Sequence, residues 1–309
     1  MATSAPGVDA MTIARWQRWM VVLQLLLGAL LLWWSLRWGW QATVAVLVGM
    51  PLCARLPLAL QFALAARASA AQAPHAHPGW ASWLRAWWRE GTWAAWVFGW
   101  WQPFRRGVVG DGLQPAARGR GMVLVHGFGC NRGFWTPWLR RLRREGRAFV
   151  AVDLEPPLGS IDGGCASIDA AVRDVTRATG LAPLVVAHSM GGLAVRAWMR
   201  TTPDADARVH RVVTLGTPHR GTQAARFAFS VNGRQMRPGS PWLRALAEAE
   251  PPGRRALFEC WQTDCDNVVY PPGSAWLEGS EKHALHGLGH VQLAFDARVM
   301  RACWGWLRE

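Results

Sequence analysis

Lysine is almost missing from this 309-residue chain: Lys282 is the only one, although Lys and Arg together number 34 against 20 acidic residues and the formal net charge is +14. A charge of that size invites a nucleic-acid partner. No nucleic-acid-binding motif accompanies it, so none is expected, and the arginine excess reads as compositional bias with some attraction to anionic lipid head groups. Charge of either sign is scarce, at 17% of residues, and is absent from the 18 residues Trp19–Leu36. Metal-ligand spacing is lacking as well. The one short-spaced histidine pair, His75 and His77, sits among alanines and prolines and reads as linker, so neither a metal nor a cofactor is expected. The six cysteines (53, 130, 165, 260, 265 and 303) form no framework. Cys260 and Cys265 could pair across a strand end in an oxidising compartment, and an unpaired set in a reducing one fits equally well. Internal repeats are absent, as is any low-complexity run beyond the Ala/Pro/His linker near residues 70–79.

What is abundant is apolar chain at the front. The uncharged run Trp19–Leu36 is flanked by Arg15, Arg18 and Arg37 and, if helical, spans a hydrocarbon core of about 30 Å. A second apolar stretch, Trp38–Ala66, is interrupted by Pro51, Arg55 and Pro57, so it spans with a kink or lies re-entrant. Arg55 would be costly at mid-bilayer and should snorkel or face the partner helix. The small residues Ala68-Ser69-Ala70 suggest a signal-peptidase site, but two long apolar blocks ahead of them are too much hydrophobic chain for a signal. Residues 1–70 therefore read as a membrane-anchoring helical hairpin. Arginines before the first block and after the second put both termini on the cytoplasmic side, as for a bacterial inner-membrane protein, whereas a single span would put the rest of the chain on the other side.

Residues 71–104 read as linker plus a tryptophan-rich segment. Trp80, Trp83, Leu84, Trp87 and Trp88 recur at i, i+3, i+4, i+7 and i+8, one face of a helix. Two readings stand: an amphipathic helix lying in the membrane interface, or a helix packed on the following domain or on the hairpin. Gly91 and Gly99 predict a break within it.

The chemistry lies further on. Leu184-Val185-Val186-Ala187-His188 is a buried strand running straight into Ser189, Met190, Gly191 and Gly192. A serine hydroxyl needs a sharp turn to lift it clear and a base beside it, and the small residues Ala187 and Gly191 allow such a strained strand-to-helix elbow. The bland alternative is a buried strand ending in a serine N-cap. A second strand, Met122–Val125, opens into His126-Gly127-Phe128-Gly129 about sixty residues earlier. The backbone N–H groups of Phe128 and Met190 are then the expected oxyanion donors. A third strand, Arg211–Leu215, ends in Gly216-Thr217-Pro218-His219-Arg220-Gly221-Thr222.

With these three motifs in this order and spacing, residues 120–309 resemble the α/β-hydrolase superfamily, and within it bacterial triacylglycerol lipases and related esterases. The resemblance implies a mostly parallel sheet flanked by helices over residues 105–309, preceded by the hairpin. It also implies a triad in the order Ser, Asp, His. The strand Ala256–Thr263 leads to Asp264 and Asp266, of which Asp266 matches the family's acid better, leaving Asp264 a turn-forming role. Of His283, His286 and His290, the family's base position, after a glycine turn and before a C-terminal amphipathic helix, matches His290. His286 is then a supporting imidazole and His283 a surface one.

The expected protein is a membrane-anchored serine hydrolase of carboxylic, plausibly lipid, esters. Ser189, Asp266 and His290 are its triad, residues 222–253 form a cap over the site, and no obligate protein partner is indicated. A thioesterase or acyltransferase would use the same triad, and a catalytically silent membrane scaffold is the rival from another class. The arginine cluster Arg140, Arg141, Arg143, Arg144 and Arg147 reads as a solvated helix face. Nothing in residues 1–70 has catalytic character, so the anchor is expected to set location rather than reactivity.

Overall fold

A computed structural model describes residues 12–72, 78–114 and 119–309; the expected linker histidines His75 and His77 lie outside these. The apolar front folds as α1 (Ile13–Ser35), α2 (Trp40–Cys53) and α3 (Leu56–Gln72). The stretches Ile13–Trp38 and Trp40–Gln72 are each long and apolar enough to cross a membrane. The second is interrupted where expected, at Ala54 and Arg55, just past Pro51. Arg55 turns toward the tryptophan-rich segment, its guanidinium 4.5 Å from the Trp88 ring.

The tryptophan segment is α4 (Trp80–Trp96), which runs on through a π turn at Val97–Trp101 into the short α5 (Gln102–Arg105). Gly91 does not break α4. A Cβ there would stand 2.9 Å from Arg55 Nε, so this glycine makes room for the arginine reaching over from the turn before α3. One stripe of the segment packs on its neighbours and the other faces outward. Ala86, Glu90 and Val97 are buried and Trp83, Trp87 and Trp93 half-buried, whereas Trp80, Trp88, Trp96 and Trp100 face outward. The inward stripe meets α3 through Trp83 and Phe62, 6.1 Å apart edge to face. It meets the following domain through Trp93, stacked on Phe295 at 4.6 Å, a pairing worth about 0.5–1.5 kcal/mol beyond its buried area.

That domain is built on six parallel strands: β1 (Met122–Val125), β2 (Phe149–Val152), β3 (Leu184–His188), β4 (Arg211–Leu215), β5 (Phe258–Thr263) and β6 (Glu281–Leu285), in the order β2-β1-β3-β4-β5-β6. Met122 lies opposite both Phe149 and Leu184. Side chains alternate between faces, so Val123 and Val125 join one core cluster and Met122 and Leu124 another. The first cluster is covered by α7 (Cys165–Thr179) and α8 (Met190–Thr201). The second is covered by α6 (Thr136–Arg144) and the C-terminal α12 (Ala297–Trp306), with Trp135, Trp138 and Trp304 filling it. The arginines of α6 lie largely on its outer face, where Arg141 pairs with Glu145.

Between β4 and β5 the chain forms α9 (Val231–Gln235) and α10 (Pro241–Glu248), with 3-10 turns on either side, and no strand. Phe227 and Phe229 stand out of this stretch, Phe229 with 89% of its surface exposed. All six cysteines are free thiols.

One buried ion pair ties this insertion to the core. Arg196 of α8 meets Glu250 through two bonds, Nε to Oε1 at 2.5 Å and Nη2 to Oε2 at 2.9 Å, with both side chains almost wholly buried. Removing one member strands the other charge in the core, which costs about 3–5 kcal/mol. Glu250→Gln is accordingly expected to lower unfolding stability by roughly that amount in a denaturant titration, and Arg196→Met,Glu250→Leu by much less.

Candidate active site

In the order β2-β1-β3 the chain reverses direction of travel across the sheet, and the loops after β1 and β3 open at that switch point. Ser189 follows β3 directly. Its backbone is held at φ 55°, ψ −129°, a region that side-chain-bearing residues seldom occupy and that costs of order 1–3 kcal/mol. The surroundings impose it. The Ser189 N–H donates to Leu215 O at 2.9 Å, and Thr217 Oγ1 donates to Ser189 O at 2.8 Å. Gly191 must be glycine for steric reasons, because a Cβ would lie 2.5 Å from His126 O. A Cβ at Gly127 would likewise lie 2.7 Å from Ser189 Cβ, so the loop after β1 rests against the serine. Ala187, the methyl in place of the commoner glycine, is simply buried in β3.

Met190 opens α8, so its N–H belongs to the first helical turn, where no intrahelical acceptor exists and the helix dipole favours negative charge. Phe128 lies in the loop after β1, with 42% of its surface exposed. Beneath that loop, His126 accepts the Leu154 N–H at Nε2, 3.0 Å, and burial lowers its pKa despite the nearby Asp153; it is a neutral strut.

The short helix α11 (His290–Leu293) carries His290. Its Nδ1 donates to Asp266 Oδ2 at 2.9 Å, both side chains about 5% exposed. Asp266 Oδ1 accepts from the N–H groups of Val268 and Val269 at 2.8 and 2.7 Å, which fixes the carboxylate. The bond to Asp266 leaves Nε2 as the ring nitrogen free to act as base. Gly216, at the end of β4, floors this pair, since a Cβ on it would stand 3.0 Å from His290 Nδ1. Burial alone would lower the imidazole pKa, but the charge and hydrogen bond of Asp266 and the charge of Glu90 raise it above the ordinary 6.5. His188 stacks on Phe134, packs 4.5 Å from the His290 ring and donates from Nε2 to His290 O at 3.1 Å. Burial and the His290 charge hold its own pKa well below the usual value, so it stays neutral.

The other candidates fall elsewhere. Asp264 accepts from His286 Nδ1 and from the Gly287 N–H, each at 2.8 Å, and stands apart from His290. His286 is exposed in this surface pair. His283 is not in a loop: it lies on β6, stacked 4.2 Å from Trp261 and bonded to Glu259 at 2.8 Å. Sequence reasoning missed Glu90, Asn267 and Thr217. Thr217 at least lies inside a recognised motif; Glu90 shows no local signal. A wide apolar cavity of about 760 Å³ lies between α3 and α4, lined by Phe62, Arg67, Trp80, Trp83 and Trp87 among others, and none of its lining residues belongs to the triad or the loop after β1.

A family model described as alpha/beta hydrolase fold matches residues 122–242. Among solved structures, the chain is similar to the Bacillus licheniformis lipase BlEst2 in its mature form, at 17% identity and a TM-score of 0.52, over 61% of this chain and 92% of that one. The propeptide form of that lipase gives 17% identity and a TM-score of 0.51, over 63% and 51% of the two chains. Aspergillus fumigatus lipase B is a more distant likeness, at 16% identity and a TM-score of 0.47, over 54% and 44%. A comparison with curated proteins found no match. From the first strand onward the chain has the α/β-hydrolase fold.

A base must be neutral to accept a proton, so ester hydrolysis should fall as pH drops through the raised His290 value, with the midpoint of the acid limb above 6.5. A pH–rate profile of kcat/KM checks this, and a midpoint below 6.5 would show that the two carboxylates do not raise the His290 value.

Proposed function

We propose that the protein is a membrane-anchored serine hydrolase that cleaves carboxylic esters, with lipid esters as its natural substrates. The observation that carries the reading is the conjunction of the strained Ser189 elbow with the buried His290–Asp266 bond of 2.9 Å. In the reaction, Nε2 of His290 takes the Ser189 hydroxyl proton as Oγ forms a bond to the substrate carbonyl carbon. The carbonyl oxygen becomes an oxyanion held by the N–H groups of Phe128 and Met190. The intermediate collapses, the ester C–O bond breaks, and the proton on His290 leaves with the alcohol. Water then repeats the sequence on the acyl-enzyme, and Asp266 keeps the imidazole in the Nδ1–H tautomer throughout.

Among the described residues the Ser189 hydroxyl has no hydrogen-bond partner, and triad contacts of this kind often tighten only when substrate binds. The lipid preference is supported by the two apolar helical stretches, by the outward tryptophans of α4, and by the exposed Phe227 and Phe229 beyond β4, in the segment read as a cap. The arginine distribution favours an inner-membrane location with the hydrolase domain on the cytoplasmic face. A family resemblance to lipases, carried by the three glycine-bearing motifs, points the same way.

Ser189→Ala is expected to abolish both ester turnover and fluorophosphonate labelling in detergent extracts, with the fold retained. Asp266→Asn should cost about 10⁴-fold in kcat, while Asp264→Asn should have little effect, because Asp264 serves only the His286 turn. Full labelling of the Ser189→Ala protein, or the reverse order of severity between the two aspartates, would overturn the assignment.

A further inference from the structure

Three polar side chains leave the otherwise apolar N-terminal helices, and each ends on a different loop of the site. Gln17 of α1 donates from Nε2 to Gly129 O at 3.1 Å, one residue beyond Phe128. It also joins Gln102 and Asn131, at 3.1 and 3.3 Å, in a buried amide network under the same loop. Gln61 of α3 accepts from Asn267 Nδ2 at 3.0 Å, and Asn267 Oδ1 in turn accepts the backbone N–H of His290 at 3.2 Å.

The third contact is the most demanding. Glu90 of α4 is only 1% exposed, yet both of its carboxylate oxygens are engaged, Oε1 by the Val291 N–H at 2.7 Å and Oε2 by the Gln292 N–H at 2.9 Å. These are the two residues after His290. The approach is so close that any Cβ on Gly289 would overlap the carboxylate.

A buried carboxylate is expensive unless it is paired or fully hydrogen-bonded. Among the described residues, Glu90 has no arginine or lysine partner in an ion pair. Burial, the largest influence, raises its pKa from 4.5 to about 7, against the lowering effect of the two N–H bonds. The charged groups that act on it are His290 and Asp266, with the neutral His188 behind His290. A helix that needed only to pack would carry leucine or tryptophan at this position, as α4 does one turn to either side. The carboxylate is spent on one thing, fixing the backbone that follows the base.

We propose that Glu90 is a positioning residue for His290, and that Gln61 and Gln17 do the same for the acid and oxyanion loops, so that the apolar helical segment is a working part of the active site rather than a tether. This rests on the triad reading above, and it revises the expectation that residues 1–70 set location alone. A loop displaced by about 1 Å is enough to cost 10²-fold in a reaction that depends on alignment.

The test uses the full chain in detergent, with p-nitrophenyl butyrate kinetics across the neutral pH range and the rate of fluorophosphonate labelling. Glu90→Gln replaces one acceptor oxygen with an amide that clashes donor to donor. It should lower kcat by about 10- to 100-fold with KM little changed, and labelling should slow in parallel. Because the Glu90 charge helps raise the His290 pKa, the acid-limb midpoint should also move down, a shift that a purely structural loss would not produce. Gln61→Leu, at an exposed position on an apolar helix, should fold like the parent and lower kcat several-fold. A folded Glu90→Gln protein with parental kcat and midpoint would overturn the proposal. Should that variant fail to fold, parental kcat in Gln61→Leu would overturn it instead. Failure of the triad reading is recognised separately, as parental-chain labelling that survives Ser189→Ala.

Discussion

The backbone of Ser189 is the constraint on which the site depends. Held at φ 55°, it can exist only because the chain around it is stripped of side-chain volume wherever another backbone comes near. Gly191 lets the helix start against the carbonyls at the end of β1, Gly127 lets the loop after β1 lie on the serine, and a Cβ at Gly192 would collide with Thr217. Each glycine belongs to a different strand-to-loop junction, or to the elbow itself, and all face the same few cubic ångströms. The strain is local, and the packing that opposes it is spread over β1, β3 and β4, three strands buried on both faces. An interior that close-packed does not relax by small increments, so the serine keeps one geometry.

Electrostatics follow from the same burial. The surface of this protein is strongly cationic, but its site is not. His188 and His126 are held neutral by desolvation, and the carboxylates of Asp266 and Glu90 both act on His290. A neutral imidazole packed beside His290 supplies shape and one hydrogen bond without adding a competing positive charge. The acidic surroundings stabilise the protonated form of His290 relative to a free imidazole.

Much of this was legible in the residues. Short apolar runs ending in glycine-bearing turns marked β1, β3 and β4, the run Ala256–Thr263 contained all of β5, and the chain order of the family then selected Asp266 and His290. What escaped had a physical reason. The strand β2 is only four residues long and leads directly into Asp153 rather than into a glycine-bearing motif of the kind that follows β1, β3 and β4. The edge strand β6, Glu281–Leu285, buries only Leu285 and so lacks an apolar pattern. Gly91 looked like a helix breaker because the arginine it accommodates comes from a distant turn, the one between α2 and α3. Glu90 was invisible for the same kind of reason: a single acid amid tryptophans acquires its role only from Val291, 201 positions away. Local pattern identifies chemistry that is local in sequence, whereas parts supplied by another helix show only in three dimensions.

The distance between Glu90 and the loop it grips has a temporal side. A chain is made from its N-terminus, so the apolar helices and α4 emerge first and must hold their place while about two hundred further residues are synthesised. The loop that carries His290 follows about two hundred residues behind Glu90. Until it docks, Glu90 lacks the two N–H groups that engage its carboxylate in the folded chain. The geometry around His290 is therefore completed late, against helices that have already formed, and the carboxylate waits for a partner the chain has yet to make.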